Sequence, residues 1–86
     1  MAVTLRLPAD IARAAGVEEL LLEAHSADEL ARRAAEAHPE IRRYLFDSSG
    51  RPRPSMAFYT ENRILDPYEQ LADGSVVEIT FAISGG

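Results

Sequence analysis

Val77-Glu78-Ile79-Thr80-Phe81-Ala82-Ile83-Ser84-Gly85-Gly86 alternates apolar and polar side chains and then runs into two glycines. Alternation with period two is the mark of a strand with one face on a core, so Val77, Ile79 and Phe81 share the inward parity. Ile83 falls on the same parity beyond the expected edge of the sheet. Glycine loses more freedom on ordering than any other residue, so a packed strand rarely ends in Gly85-Gly86 without cause. With Gly86 as the last residue, its α-carboxylate has no side chain beside it and can enter a narrow channel in another protein, where a Cβ would meet the wall. A frayed end is the plainer reading of the same two residues, and the upstream sequence has to decide between them.

Eighty-six residues suit one domain, residues 1–86, with residues 83–86 as its tail. A chain of this size buries roughly 60 % of its unfolded surface and has no room for a deep internal active site. Its 47% hydrophobic and 27% charged residues are those of a soluble globular protein, with no run approaching the roughly 20 apolar residues of a membrane span and no signal-peptide pattern. The absence of cysteine excludes disulfides, thiolate metal sites and thiol nucleophiles, and makes the cytoplasm the expected compartment. A formal charge of −5 opposes binding to nucleic acid. All nine basic residues are arginine, so no lysine side chain can accept an isopeptide bond.

Upstream of the last strand, Asp73-Gly74 is a strong turn signal, and residues 68–72 are expected to form one irregular helical turn that packs Leu71. Residues 55–60 read as an extended segment, Glu61-Asn62-Arg63 as a tight reversal, and Ile64-Leu65 as a short strand halted by Asp66-Pro67. Asp47-Ser48-Ser49-Gly50-Arg51-Pro52-Arg53-Pro54 has turn chemistry throughout and reads as a surface loop.

At the other end, residues 3–7 alternate as a strand with Val3, Leu5 and Leu7 inward. Pro8 closes it, a turn of helix is expected over residues 11–15, and Gly16 suits a position of positive φ. Residues 17–24 form a second strand, Leu20 and Leu22 inward, paired with the first as a hairpin with a long connection. Ser26-Ala27-Asp28-Glu29 is a capping box: the Ser26 hydroxyl accepts from the Glu29 amide, and the Glu29 carboxylate is expected to accept from the Ser26 amide. Leu30, Ala34, Ala37 and Ile41 give the ensuing helix a thin apolar stripe opposite Arg32, Arg33 and Glu36. Pro39 breaks it into two pieces, the second burying Ile41, Tyr44 and Leu45. The sum is an α+β domain in which a helix crosses one face of a mixed sheet, and the last strand lies centrally beside the first in parallel.

The order of elements, the Leu71-Ala72-Asp73-Gly74-Ser75-Val76-Val77 approach to the last strand, and the closing Ile83-Ser84-Gly85-Gly86 together resemble the ubiquitin-like sulfur carriers of the MoaD/ThiS family. The resemblance covers essentially the whole chain, weakly at the front and well from Leu71 onward. Two departures bear on the branch of the family: Phe81-Ala82 stands where many relatives carry proline, and Glu61-Asn62-Arg63 where many carry Asn-Gly. The resemblance implies the β-grasp fold, with a mixed four- to five-stranded sheet, one main helix across one face and a projecting C-terminal tail.

It also implies a function. An activating enzyme of the ubiquitin-activating type joins the Gly86 carboxylate to AMP, a sulfur donor converts it to a thiocarboxylate, and a biosynthetic enzyme accepts the sulfur. Gly85 and Ser84 form the slim tail, and Ile83 and Phe81 meet the partner. ATP is bound by that partner, so no cofactor is expected on this chain. The protein would then be a co-substrate with no catalytic residue of its own. Two other readings of the same tail are a protein modifier joined through Gly86 to target lysines, and a plain interaction module.

Other candidates have simpler explanations. His25 and His38 flank the helix without carboxylates at ligand spacing, so no metal is expected. Asp47-Ser48-Ser49-Gly50 lacks the later carboxylates of a calcium loop. Ser26 is explained by capping, and phosphate-binding glycine loops are absent. Arg42-Arg43 and Arg51-Pro52-Arg53 could meet an acidic partner, but solvated charges are the simpler reading.

Overall fold

The computed structural model describes residues 2–81. In chain order these form β1 (Ala2–Arg6), α1 (Ala9–Ala15), β2 (Glu19–Glu23), α2 (Ala27–Ala37), a 3-10 turn (Pro39–Ile41), α3 (Arg42–Leu45), β3 (Met56–Thr60), β4 (Arg63–Leu65) and β5 (Val76–Phe81). The five strands make one sheet in the order β2-β1-β5-β3-β4. β5 is central, parallel to β1 through Leu5↔Val77 and antiparallel to β3 through Phe58↔Ile79. This is the mixed sheet of the β-grasp fold expected from the sequence.

The turn before β5 sets that parallel register. The Asp73 carboxylate accepts from the Ala2 amide at 2.7 Å, and the Gly74 amide donates to the Ala2 carbonyl at 2.8 Å. The Thr4 amide then donates to the Ser75 carbonyl at 2.9 Å, so the two central strands are joined from their first residues. Gly74 stands at φ 83, the left-handed region.

One face of the sheet carries the core. Val3, Leu5, Leu20, Phe58, Leu65, Val77 and Ile79 are buried against Leu30, Ala31 and Ala34 of α2, with Ile11, Ile41, Leu45 and Phe46 closing the ends. Four buried alanines, Ala27, Ala31, Ala34 and Ala35, let the α2 backbone lie close over the sheet. Ala37, expected in that stripe, is exposed, because the helix ends at His38 and its last residue has passed the sheet. Leu7 is half-buried against the core rather than within it.

At the start of α2 two of the amides without a partner inside the helix find acceptors. Ser26 Oγ accepts from the Glu29 amide at 3.2 Å, as the capping box requires. The Asp28 amide donates to the Pro67 carbonyl at 2.9 Å, a long-range cap that no local sequence pattern contains. The expected reciprocal bond falls one residue earlier: the Glu29 carboxylate accepts from the His25 amide at 2.6 Å, not from that of Ser26.

Two further differences from the sequence reading, and the form taken by one expected turn, have local causes. The helix after Pro8 begins at Ala9 and runs to Ala15, because Pro8 serves as its N-cap and Gly16 closes it at φ 80. Residues 68–72 form no helix. Tyr68 donates its amide to the Asp66 side chain at 2.8 Å, and the Leu71 amide reaches the His25 carbonyl at 2.8 Å, which draws the segment across the end of α2. Leu71 is buried there as expected. Glu61 and Asn62 both adopt positive φ, 50 and 63, so the β3–β4 reversal is a two-residue turn of the primed type without glycine. No helix among the described residues is long and apolar enough to cross a membrane.

Candidate functional site at the end of the last strand

β5 ends at Phe81, which pairs with Met56 at the start of β3. Ile83, Ser84, Gly85 and Gly86 lie outside the described residues, so Phe81 is the site residue whose surroundings are on view. It is half-buried and packs against the edge of the core.

Phe81 also lines a groove of about 590 Å³ whose other walls are Pro8, Asp10 and Ile11 from the start of α1, Arg43 and Tyr44 from α3, and Arg53 from the following loop. The floor is apolar and the rim is charged. Each wall has a local reason for its position. Pro8 turns the chain out of β1 directly into α1, which brings Ile11 down onto the core. Pro39 opens the 3-10 turn at its first position, and that break rotates α3 so that Leu45 is buried while Tyr44 faces the groove.

The loop over residues 47–54 is held firmly for a surface segment. Asp47 Oδ1 accepts from the Ser49 amide at 2.9 Å, the Ser49 hydroxyl at 2.6 Å and the Arg51 amide at 3.0 Å. The Ser49 hydroxyl bond, followed by the Arg51 amide, holds the Asp47 carboxyl below the usual carboxylate range. The Arg53 amide donates to the Leu45 carbonyl and its Nε to the Arg43 carbonyl, both at 2.9 Å. Arg43 in turn lies over the Tyr44 ring, 5.1 Å from its centroid, and donates to the Tyr44 hydroxyl at 3.3 Å. Two guanidiniums are thereby fixed beside the end of β5.

A second depression, of about 650 Å³, adjoins the first through Arg43 and Arg53 and includes Arg42, Phe46 and Asp47. Sequence reading picked out these arginines in pairs but not the groove, because Pro8, Ile11, Tyr44 and Phe81 come from three distant segments. The histidines sit beside carboxylates, His25 3.2 Å from Glu29 and His38 3.4 Å from Glu40. Among the described residues no cluster of three or more His, Asp or Glu could hold a metal, and no polar or charged side chain is buried.

No protein-family model and no curated protein sequence matches the chain. Solved structures do. SAMP1 from Haloferax volcanii superposes with a TM-score of 0.86 at 19% identity over 100% of both chains. A chain of the BexX/CysO complex from Amycolatopsis orientalis superposes at 0.79 and 18% identity, over 99% of this chain and 100% of that one. A chain of the complex between subunits 1 and 2 of the molybdopterin-converting factor from Helicobacter pylori does so at 0.64 and 21% identity, over 100% of both. At these identities the likeness is one of fold, and that fold is the ubiquitin-like β-grasp.

Proposed function

We propose that this protein is a sulfur carrier that works through the carboxylate of Gly86. The observation that carries the reading is the placement of β5: the central strand of a β-grasp sheet ends at Phe81, and five residues closing in Gly85-Gly86 follow it. A carboxylate oxygen is a poor leaving group. ATP converts it to an acyl-adenylate with release of pyrophosphate, and a sulfide-level donor then displaces AMP to leave a thiocarboxylate, a better nucleophile for later transfer. ATP and the acid-base groups belong to the activating enzyme, and this chain supplies the slim tail. A biosynthetic enzyme receives the sulfur. Similar structures in complex, CysO with BexX and molybdopterin-converting factor subunit 1 with subunit 2, support a protein partner.

The test is intact-mass analysis after incubation with an activating enzyme of the ubiquitin-activating type encoded in the same genome, ATP and sulfide. Exchange of one oxygen for sulfur at Gly86 is expected, and adenylation without that exchange would sink the carrier reading. A second reading, a protein modifier that forms isopeptide bonds through Gly86, is favoured by the likeness to small archaeal modifier protein 1 from Methanosarcina acetivorans. It predicts higher-mass conjugates in a lysate charged with the adenylated chain.

A further inference from the structure

The arginines fall into two groups. Of the five outside residues 42–53, four stand beside a carboxylate: Arg6 at 3.2 Å from Glu19, Arg32 at 3.0 Å from Asp28, Arg33 at 3.6 Å from Glu29 and Arg63 at 2.7 Å from Glu69. The other group, Arg42, Arg43, Arg51 and Arg53, forms no ion pair among the described residues. Asp47 is the sole acid between residues 42 and 53, whereas the remainder of the chain carries thirteen acids and five arginines. Apart from Arg13 on α1, this acidic protein has thus gathered its unpaired positive charge in one stretch: Arg43 and Arg53 line the groove beside Phe81, Arg42 lines the adjoining depression, and Arg51 lies on the loop between them.

The neighbouring acids offset it only in part: Asp47 feels the charge of Arg53, though mainly it is held by other groups, and no ion pair joins the two among the described residues. Asp47 is occupied by Ser49 and the Arg51 amide, and Glu40 faces His38 at 3.4 Å. Asp10, on the first turn of α1, lines the same groove without forming an ion pair with Arg43 or Arg53. Solvated arginines scattered over a surface would need no explanation. Here Arg43 and Arg53 are fixed by contacts to Tyr44 and the Arg43 carbonyl, so little side-chain freedom is left to lose on binding.

We infer that the two adjoining depressions form one docking surface for an acidic segment of the activating enzyme with an apolar residue at its centre. The apolar residue enters between Ile11, Tyr44 and Phe81, and the flanking carboxylates meet Arg42, Arg43 and Arg53, with Arg51 adding positive charge from the same loop. The chemistry of the segment rests on charge complementarity, and its assignment to the activating enzyme rests on the function proposed above. Charges at an interface rim act mainly on association rate and salt dependence, so docking here would deliver the tail to the enzyme without touching the reacting atoms.

The experiment uses the full chain, 15N-labelled, titrated with the acetylated peptide Asp-Glu-Phe-Glu-Asp and with its Lys-Lys-Phe-Lys-Lys counterpart. The charge-reversed variant is R42E/R51E, since neither of those side chains makes a contact that holds the fold. R13E, which reverses the other unpaired arginine, is the control. The acidic peptide is expected to shift the amides of residues 42–53 and Phe81 in wild type and R13E, more weakly at high salt, and not in R42E/R51E; the basic peptide is expected to shift none. With the activating enzyme, pyrophosphate exchange by R42E/R51E is expected to show KM for the carrier raised about tenfold or more with kcat retained.

Equal KM for wild type and R42E/R51E would overturn the inference while leaving the carrier function standing. Absence of exchange with wild type, together with normal peptide binding, would remove the proposed function and the enzyme as occupant but keep an acidic segment as the ligand. No shift by the acidic peptide would overturn the docking surface itself. Groove shifts that depend on protein concentration would assign it to a second copy, and shifts on deleting residues 82–86 would assign it to the chain's own tail; each overturns the inference.

Discussion

Glu29 takes three roles at one carboxylate. It accepts from the His25 amide at 2.6 Å, faces His25 Nδ1 at 3.2 Å and lies 3.6 Å from Arg33. The His25 amide bond is the main cause that holds its pKa below the usual carboxylate range, and the same direction applies to Asp47 through Ser49 and to Glu69 through Arg63. A depressed carboxyl stabilises the fold at pH above its unfolded pKa, and that stability is lost as pH falls through the folded pKa. Stability by urea denaturation is therefore expected to be flat near neutrality and to decline below about pH 4–5, with the decline reduced in E29Q. Gly74 supplies a second test at this scale. A Cβ there would meet nothing within 4 Å, yet φ is +83. Gly74→Ala is expected to cost about 1 kcal/mol from backbone strain alone, read as a lower urea midpoint. The capping box shows what residue-level reading can and cannot reach. Ser26 and Glu29 were legible as a helix start because both partners are local. The acceptor of the Asp28 amide, the Pro67 carbonyl, was not, because it arrives from a distant segment.

At the scale of elements, α2 is defined by small residues on one side. Ala31 and Ala34 are 1% and 0% exposed, whereas Ala37 is open to solvent. Ala34→Leu is expected to overpack the sheet and destabilise by about 1–3 kcal/mol, while Ala37→Leu changes stability by roughly 0.5 kcal/mol or less. Thermal denaturation of the two variants separates them. Periodicity alone placed both alanines on one stripe, since helical spacing records a direction around the axis and not where the sheet beneath it ends. The β3–β4 reversal was legible as a turn, but its geometry was decided by Glu61 and Asn62 accepting positive φ. Residues 68–72 went the other way: an expected helical turn gave way to hydrogen bonds with the Asp66 side chain and the His25 carbonyl.

For the molecule as a whole, β1 and β5 are the central pair of the sheet, joined through residues from opposite ends of the sequence. The buried core of the described residues runs from Val3 to Ile79. Deleting Gly86 is therefore expected to leave the melting temperature unchanged while abolishing thiocarboxylate formation, and a large drop in melting temperature would show that the last residue packs. Strand parity, the capped helix, the break at Pro39 and the Asp73-Gly74 turn were all determined by the sequence, because each depends on contacts within a few residues or on a period along one element. The central parallel position of β5 was legible as well, through the order of elements. Only the tertiary structure decided that Pro8, Ile11, Tyr44 and Phe81 share one groove, and that the unpaired Arg43 and Arg53 stand along its wall with Arg42 in the adjoining depression. A groove is a relation among segments far apart in the chain, and whether a charge is paired depends on which neighbours folding brings to it.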